Sequence, residues 1–180
     1  ISGAMTIAKQ GLVVCEMIDR GWVQALVATG ALMTHGFVEA AGMTHYKHRP
    51  SMNDEELFAK GYNRVYDTLE LEQNLDDTEK IVSAVLDGLP EGTVLASHVI
   101  TEALGHYLAA HADGRAILKS AVARGVPVYI PAFTDSELGL DVAVYNRRRE
   151  MAGKVRRAFD PFLDLEHYTD HIRAHETTGI

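Results

Sequence analysis

Two short, mostly apolar runs with β-branched residues, Val23–Ala28 and VPVYIPAF over 126–133, stand in a chain whose other apolar residues recur at helical spacing. Runs of this length, bounded by turn residues, fit strands buried on both faces. Pro127 places the second near a strand start or edge. Each run ends in small or hydroxyl-bearing residues, Thr29-Gly30-Ala31 and Thr134-Asp135-Ser136. Helix, strand, turn and helix in succession is the rhythm of a parallel α/β sheet. The expected fold class is therefore α/β, with a mostly parallel sheet flanked by helices.

The helical segments follow from periodicity and end signals. Residues 6–19 place Ile7, Gly11, Val14 and Ile18 on one face, and Gly21 ends the helix. Residues 32–42 read as a second helix, stopped at Gly42, and 43–53 as a polar loop. Asn53 is positioned to cap 54–60, with Glu56 at the third helical position and Gly61 just past the end. Residues 63–71 are ambiguous. A capping box at Asp76 and Glu79 opens a helix that Gly88 and Pro90 stop. Two more helices cover 97–114 and 116–125. Asp160 reads as an N-cap and Pro161 as a first helical residue, with Phe162, Leu165, Tyr168 and Ile172 as the buried stripe. Asp160, Asp164 and Glu166 complement that helix's dipole. The basic stretch 146–157 reads as a solvated loop and helix face. Gly179 reads as a helix stop and Ile180 as the start of another strand. The opening turn Ser2-Gly3-Ala4 follows a single residue, Ile1, of strand character. With many helices and only two clear strands, residues 1–180 are expected to form one partial domain of a larger doubly wound sheet.

Composition narrows the function classes. The chain is 47% apolar and 23% charged, as soluble globular domains are. A formal charge of −8 argues against a nucleic-acid groove or an anionic membrane surface, and suits a cationic ligand. The single cysteine, Cys15, excludes an intrachain disulfide and fits core packing in a reducing compartment. No apolar run reaches the ~20 residues needed to span a bilayer, and no basic stretch leads into an apolar one at the start. A cytoplasmic protein is expected, with neither nucleic acid nor membrane as partner.

Ligands of open α/β sheets bind beyond the carboxyl ends of the strands. Ser2 to Thr6, Thr29-Gly30-Ala31 and Thr134-Asp135-Ser136 belong to such ends. Free backbone N–H groups at a helix start take phosphate oxygens, and the carboxylate of Asp135 suits ribose hydroxyls. The same turns serve equally as tight strand–helix connections, since neither glycine turn is a full G-x-G-x-x-G. His35, His45 and His48 are loosely spaced and have no carboxylate at short range to complete a ligand set, so no metal site is expected.

Five segments in order, SGAMT, VATGALMTHGFVEA, NRVYDT, GVPVYIPAFTDSELGLD and FDPFLDLEHYTDHI, resemble the deoxyhypusine synthase family, particularly its deoxyhypusine synthase-like branch. The resemblance covers essentially the whole chain. It implies a Rossmann-like subunit of a homotetramer with NAD sites at a dimer interface. The implied reaction transfers an aminobutyl group from spermidine, by way of an enzyme lysine, to an amine acceptor: a lysine of a translation factor or, in related enzymes, a small amine. Carried over, the NAD contacts fall on Ser2, Gly3, Ala4, Met5, Thr6, Thr29, Gly30, Ala31 and Asp135, and the polyamine contacts on Thr34 and His35. Arg64, in a family motif, is a structural ion-pair former or a ligand contact.

Departures bear on the substrate. Thr34 and His35 stand where the protein-modifying enzymes place acids, Gly36 where many members have Asp, and Leu140 where they have a polyamine-binding Asp, with Asp141 next to it. A different or shorter amine thereby becomes a reasonable donor. The family's Trp-Gly-Lys motif with the catalytic lysine is not in this sequence, so no nucleophile is assigned. An inactive NAD-binding or assembly subunit of the same family is the alternative, and an unrelated nucleotide-binding domain a third.

Overall fold

The computed structural model describes residues 1–176, so the expected features at Gly179 and Ile180 lie outside the described residues. The fold is mixed α/β. Strands β1 (Leu26–Val27) and β5 (Val128–Tyr129) pair in parallel, with Leu26 opposite Val128 and Val27 opposite Tyr129. On the other edge of β1, the Ile1 amino group donates to the Val27 carbonyl at 2.7 Å, and the Ile1 carbonyl accepts the Thr29 N–H at 3.2 Å. That is the bonding of a parallel neighbour. The free edge of β5 is closed by side chains: Thr101 Oγ1 donates to the Val128 carbonyl at 2.8 Å, and Ser97 Oγ accepts the Ile130 N–H at 2.7 Å.

Both strands are shorter than the apolar runs that mark them. Pro127 and Pro131 bracket β5 and lack the N–H that a ladder needs. Instead of lengthening the parallel sheet, the chain builds a second, antiparallel one from β2 (His45–Lys47), β3 (Tyr62–Val65) and β4 (Thr68–Leu71), in the order β2-β4-β3. The expected polar loop at 43–53 thus contains β2. The ambiguous stretch 63–71 is a hairpin turning at Tyr66, whose φ is +56°.

Helices α1 (Gly11–Asp19), α2 (Gly30–Ala40), α3 (Asp54–Ala59), α4 (Glu72–Gly88), α5 (Ser97–His111), α6 (Ile117–Arg124), α7 (Glu137–Met151) and α8 (Phe162–Glu176) complete the fold. Asn53 caps α3, accepting the Glu55 and Glu56 N–H groups at 2.8 and 3.2 Å. Helix α1 starts later than its apolar pattern because Lys9 turns the chain at φ +61°. Helix α4 starts earlier, running straight out of β4, so Asp76 lies inside it rather than at its cap.

Leu32, Phe37, Leu86, Ile100, Leu104, Ile130 and Leu138 form the centre of the core, and Cys15 is buried with them. Three expectations are corrected. Phe162, Leu165 and Ile172 are exposed and Tyr168 is only partly buried, so the expected stripe is not a buried one. The buried residue of that turn is Asp164, which accepts the Ser97 and His98 N–H groups at 3.1 and 2.9 Å and so caps α5 rather than its own helix. The basic stretch is not simply solvated, because Arg149 and Arg157 are buried. Arg157 donates to the Leu89 and Pro90 carbonyls, both at 2.8 Å, tying the end of α4 to the segment after α7. No described helix is long and apolar enough to cross a membrane.

Candidate functional site

Because β1 and β5 are parallel, the turns that follow them emerge at one rim. Thr29 caps α2 there: its Oγ1 accepts the Leu32 N–H at 3.4 Å and donates to the Gly3 carbonyl at 3.1 Å. Gly3 itself has φ +72°, a conformation that favours glycine. Gly30 approaches Ser136 so closely that a Cβ on it would lie 2.0 Å from the Ser136 Cβ. Ser136 caps α7, accepting the Gly139 N–H at 3.3 Å and donating to the Phe133 carbonyl at 2.6 Å. The three turns singled out from the sequence therefore touch one another, and two helix N-termini meet where they do.

Ser2, Gly3, Met5, Ala31 and Asp135 are exposed along this rim, and Ala4 and Thr29 are partly so. Gly30 and Thr6 are buried. The Thr6 hydroxyl donates to the Leu32 carbonyl at 2.9 Å, so this residue braces the opening turn against α2.

Behind the rim lies a buried polar cluster. His35, on α2, belongs to it, and its neighbour Thr34 is buried. The Thr34 hydroxyl is buried without a hydrogen-bond partner, and His35 Nδ1 lies 3.0 Å from Glu70 Oε2. His45 Nε2 lies 3.4 Å from the same oxygen, and its Nδ1 lies 3.0 Å from Glu39 Oε1. Burial pushes the Glu70 carboxyl up, but the two imidazoles outweigh it and hold the group at about 2. Burial lowers His45, and Glu70 and Glu39 more than reverse that. Glu137, at the start of α7, is raised by burial and then by Glu70. One turn on, Asp141 is pushed up to about 7 by burial, then by Glu137 and Glu79, and its Oδ2 has no partner. Leu140 points outward and Asp141 inward.

Sequence reading missed Glu70 and Glu137. Glu70 left one signal, a charged residue between Leu69 and Leu71 in a short apolar segment. Glu137 looks like any acid in a first helical turn. His48 belongs elsewhere, beside Asp54, and Arg64 forms a two-point ion pair with Asp54, with both contacts at 2.7 Å. That leaves Arg64 its structural role.

A separate cavity of about 220 Å³ lies beside the amino end of β5, away from the rim. His98 and His167 stack there with ring centroids 4.4 Å apart. Asp164 holds His98 Nδ1 at 2.7 Å, and the Tyr129 hydroxyl lies 2.7 Å from His167 Nδ1.

The sequence profile of deoxyhypusine synthase matches residues 1–180. "Probable deoxyhypusine synthase 1" of Methanosarcina mazei is 35% identical over 179 residues, which is 99% of this chain and 53% of that protein. "Probable deoxyhypusine synthase" of Methanosarcina thermophila is 34% identical over the same shares. The chain thus spans about half the length of the curated relatives it matches. Among solved structures, the "putative deoxyhypusine synthase" of Entamoeba histolytica superposes with a TM-score of 0.67 at 14% identity, over 94% of this chain and 50% of that one. The profile match over the full sequence and the identity to the Methanosarcina proteins establish that this chain belongs to the deoxyhypusine synthase family.

Proposed function

We propose that this chain is the cofactor-binding part of an NAD-dependent enzyme that transfers an aminobutyl group from spermidine or a similar polyamine to an amine acceptor. The carrying observation is the contact of the three turns, Gly3 with Thr29 and Gly30 with Ser136, at the carboxyl ends of parallel strands. The residues fit a dinucleotide. The N-termini of α2 and α7 offer N–H groups and positive dipole ends to phosphates. Asp135 is exposed beside them as a hydroxyl acceptor, and Gly30 keeps the wall between α2 and α7 thin. Ser2, Gly3, Ala4, Met5, Thr29, Gly30, Ala31 and Asp135 would hold NAD, with Thr6 fixing the first turn. Bound NAD supplies a hydride acceptor for the amine carbon.

The protein's own residues then bind and orient the amine. Thr34 offers an unpartnered hydroxyl, and Glu137 and Asp141 supply negative charge from α7, whereas α2 has Thr34 and His35 in place of acids. Charge-assisted hydrogen bonds to an ammonium chain follow from that placement. A different or shorter amine as donor is favoured by Leu140, exposed where the protein-modifying enzymes place a polyamine-binding acid. A larger Rossmann-like sheet continuing beside Ile1, a homotetramer and a cytoplasmic location belong to the same reading.

The test is to incubate the full-length protein with NAD and a panel of di- and polyamines, and to identify products by mass. Amine-dependent aminobutyl transfer is expected. NAD binding with no transfer from any amine would favour the inactive assembly subunit.

A further inference from the structure

His35, His45 and Glu70 come from three different elements, α2, β2 and β4, and converge on one point. One ligand-type atom from each lies within 4.8 Å of the other two. The side chains of His45 and Glu70 are only 1% and 4% exposed. His35 Nδ1, His45 Nε2 and Glu70 Oε1 are buried with no aligned hydrogen-bond partner. Such atoms are costly to bury unless something pairs with them.

The other nitrogen of His45 says what that something is. Its Nδ1 faces Glu39 Oε1 at 3.0 Å, and a carboxylate there keeps the proton on Nδ1. When that ring is neutral, its Nε2 lone pair is turned toward Glu70. A lone pair and a carboxylate 3.4 Å apart need a cation between them. In a tetrahedral site with bonds of ~2.0–2.2 Å, neighbouring ligand atoms sit ~3.3–3.5 Å apart. A carboxylate behind the distal nitrogen is the arrangement that orients metal-bound imidazoles.

We propose that His35, His45 and Glu70 bind a divalent transition-metal ion of the zinc class, with Glu39 orienting His45. Two imidazoles and one carboxylate suit such an ion better than magnesium or calcium, which take all-oxygen shells. The set leaves a fourth position for water. The ion joins the antiparallel sheet to the helix that begins at the rim, and so fixes the wall of the polar cluster. The proposal goes beyond aminobutyl transfer and does not depend on it. Its competitor is protonation of both imidazoles.

Full-length protein, purified without chelator or an affinity metal and dialysed, is analysed for metal content and titrated with zinc chloride. A cobalt(II)-loaded sample gives the coordination directly from its visible spectrum. The expected results are about one zinc per chain and an intense tetrahedral cobalt band. Glu70→Gln and His45→Gln should each weaken zinc binding more than about 100-fold, and Glu39→Gln about 10- to 100-fold. Circular dichroism checks that each variant folds. If the ligand variants do not fold, the wild-type cobalt spectrum decides alone. A spectrum of the aqueous ion, or zinc affinity unchanged in folded variants, overturns the proposal. Zinc binding in a protein that transfers no aminobutyl group leaves it standing.

Discussion

Gly30 and Ser136 are in contact across the rim: a methyl group on Gly30 would overlap the Ser136 Cβ, and its oxygen would lie 2.5 Å away. The starts of α2 and α7 can approach this closely only because Gly30 has no side chain. Ser136 cannot turn aside, since the overlapping atom is its own Cβ. Gly30→Ala should therefore push the two helix starts apart and destabilise the fold by about 1–3 kcal/mol, as overpacking does. Chemical denaturation measures the loss, and NAD affinity should fall with it. An alanine variant as stable as the wild type would mean that the two turns are not packed as described.

Asp141 makes stability depend on pH. Its carboxyl titrates at about 7 in the folded chain because burial, Glu137 and Glu79 oppose its charge. The ordinary value in an unfolded chain is about 4. The folded state thus binds this proton more tightly. The contribution is fully present below about pH 4 and is lost as pH rises through about 7. Asp141→Asn should remove that slope and raise stability at pH 8, by an amount on the order of 3 kcal/mol. Denaturation curves at pH 5 and pH 8 test it, and equal slopes in the two proteins would refute it. If Asp141 also faces a bound ammonium chain, amine affinity should rise with pH through the same interval.

Asp164 acts in the opposite sense. Burial raises its carboxyl, but the hydrogen bonds from His98 and Ser97 outweigh this and hold it below the ordinary range. Its contribution is present above about pH 4, the unfolded value, and is lost as pH falls through the lower folded one. Asp164→Ala removes the cap of α5 and should cost about 1–2 kcal/mol at pH 7. Thermal denaturation of the variant, with Asp160→Ala as the control, distinguishes this cap from the one expected for α8. Asp160 accepts only the exposed Phe162 N–H, so its loss should matter little.

Much of the rim was legible because turn chemistry is local. Thr29, Gly30 and Asp135 are marked by residue type and by the apolar runs before them. The polar cluster was not, because Glu70 and Glu137 come from β4 and α7, which lie far apart in sequence and are brought to α2 only by the fold. Arg157 shows the same limit. Nothing in a basic run distinguishes the one guanidinium that reaches two backbone carbonyls from the exposed Arg156 beside it. The stripe over Phe162 and Leu165 misled for the converse reason: periodicity identifies an apolar face without saying that a neighbour covers it within this chain.

Isothermal titration of full-length protein with NAD, comparing wild type with Asp135→Ala, tests whether the rim holds the cofactor. Asp135 is exposed, so its removal should leave the thermal unfolding curve in place. Saturable binding by the wild type is expected, with at least about a tenfold weaker affinity in the variant, the equivalent of one charge-assisted hydrogen bond. Equal affinity in two equally folded proteins, or no heat of binding in either, would contradict a cofactor site at the rim.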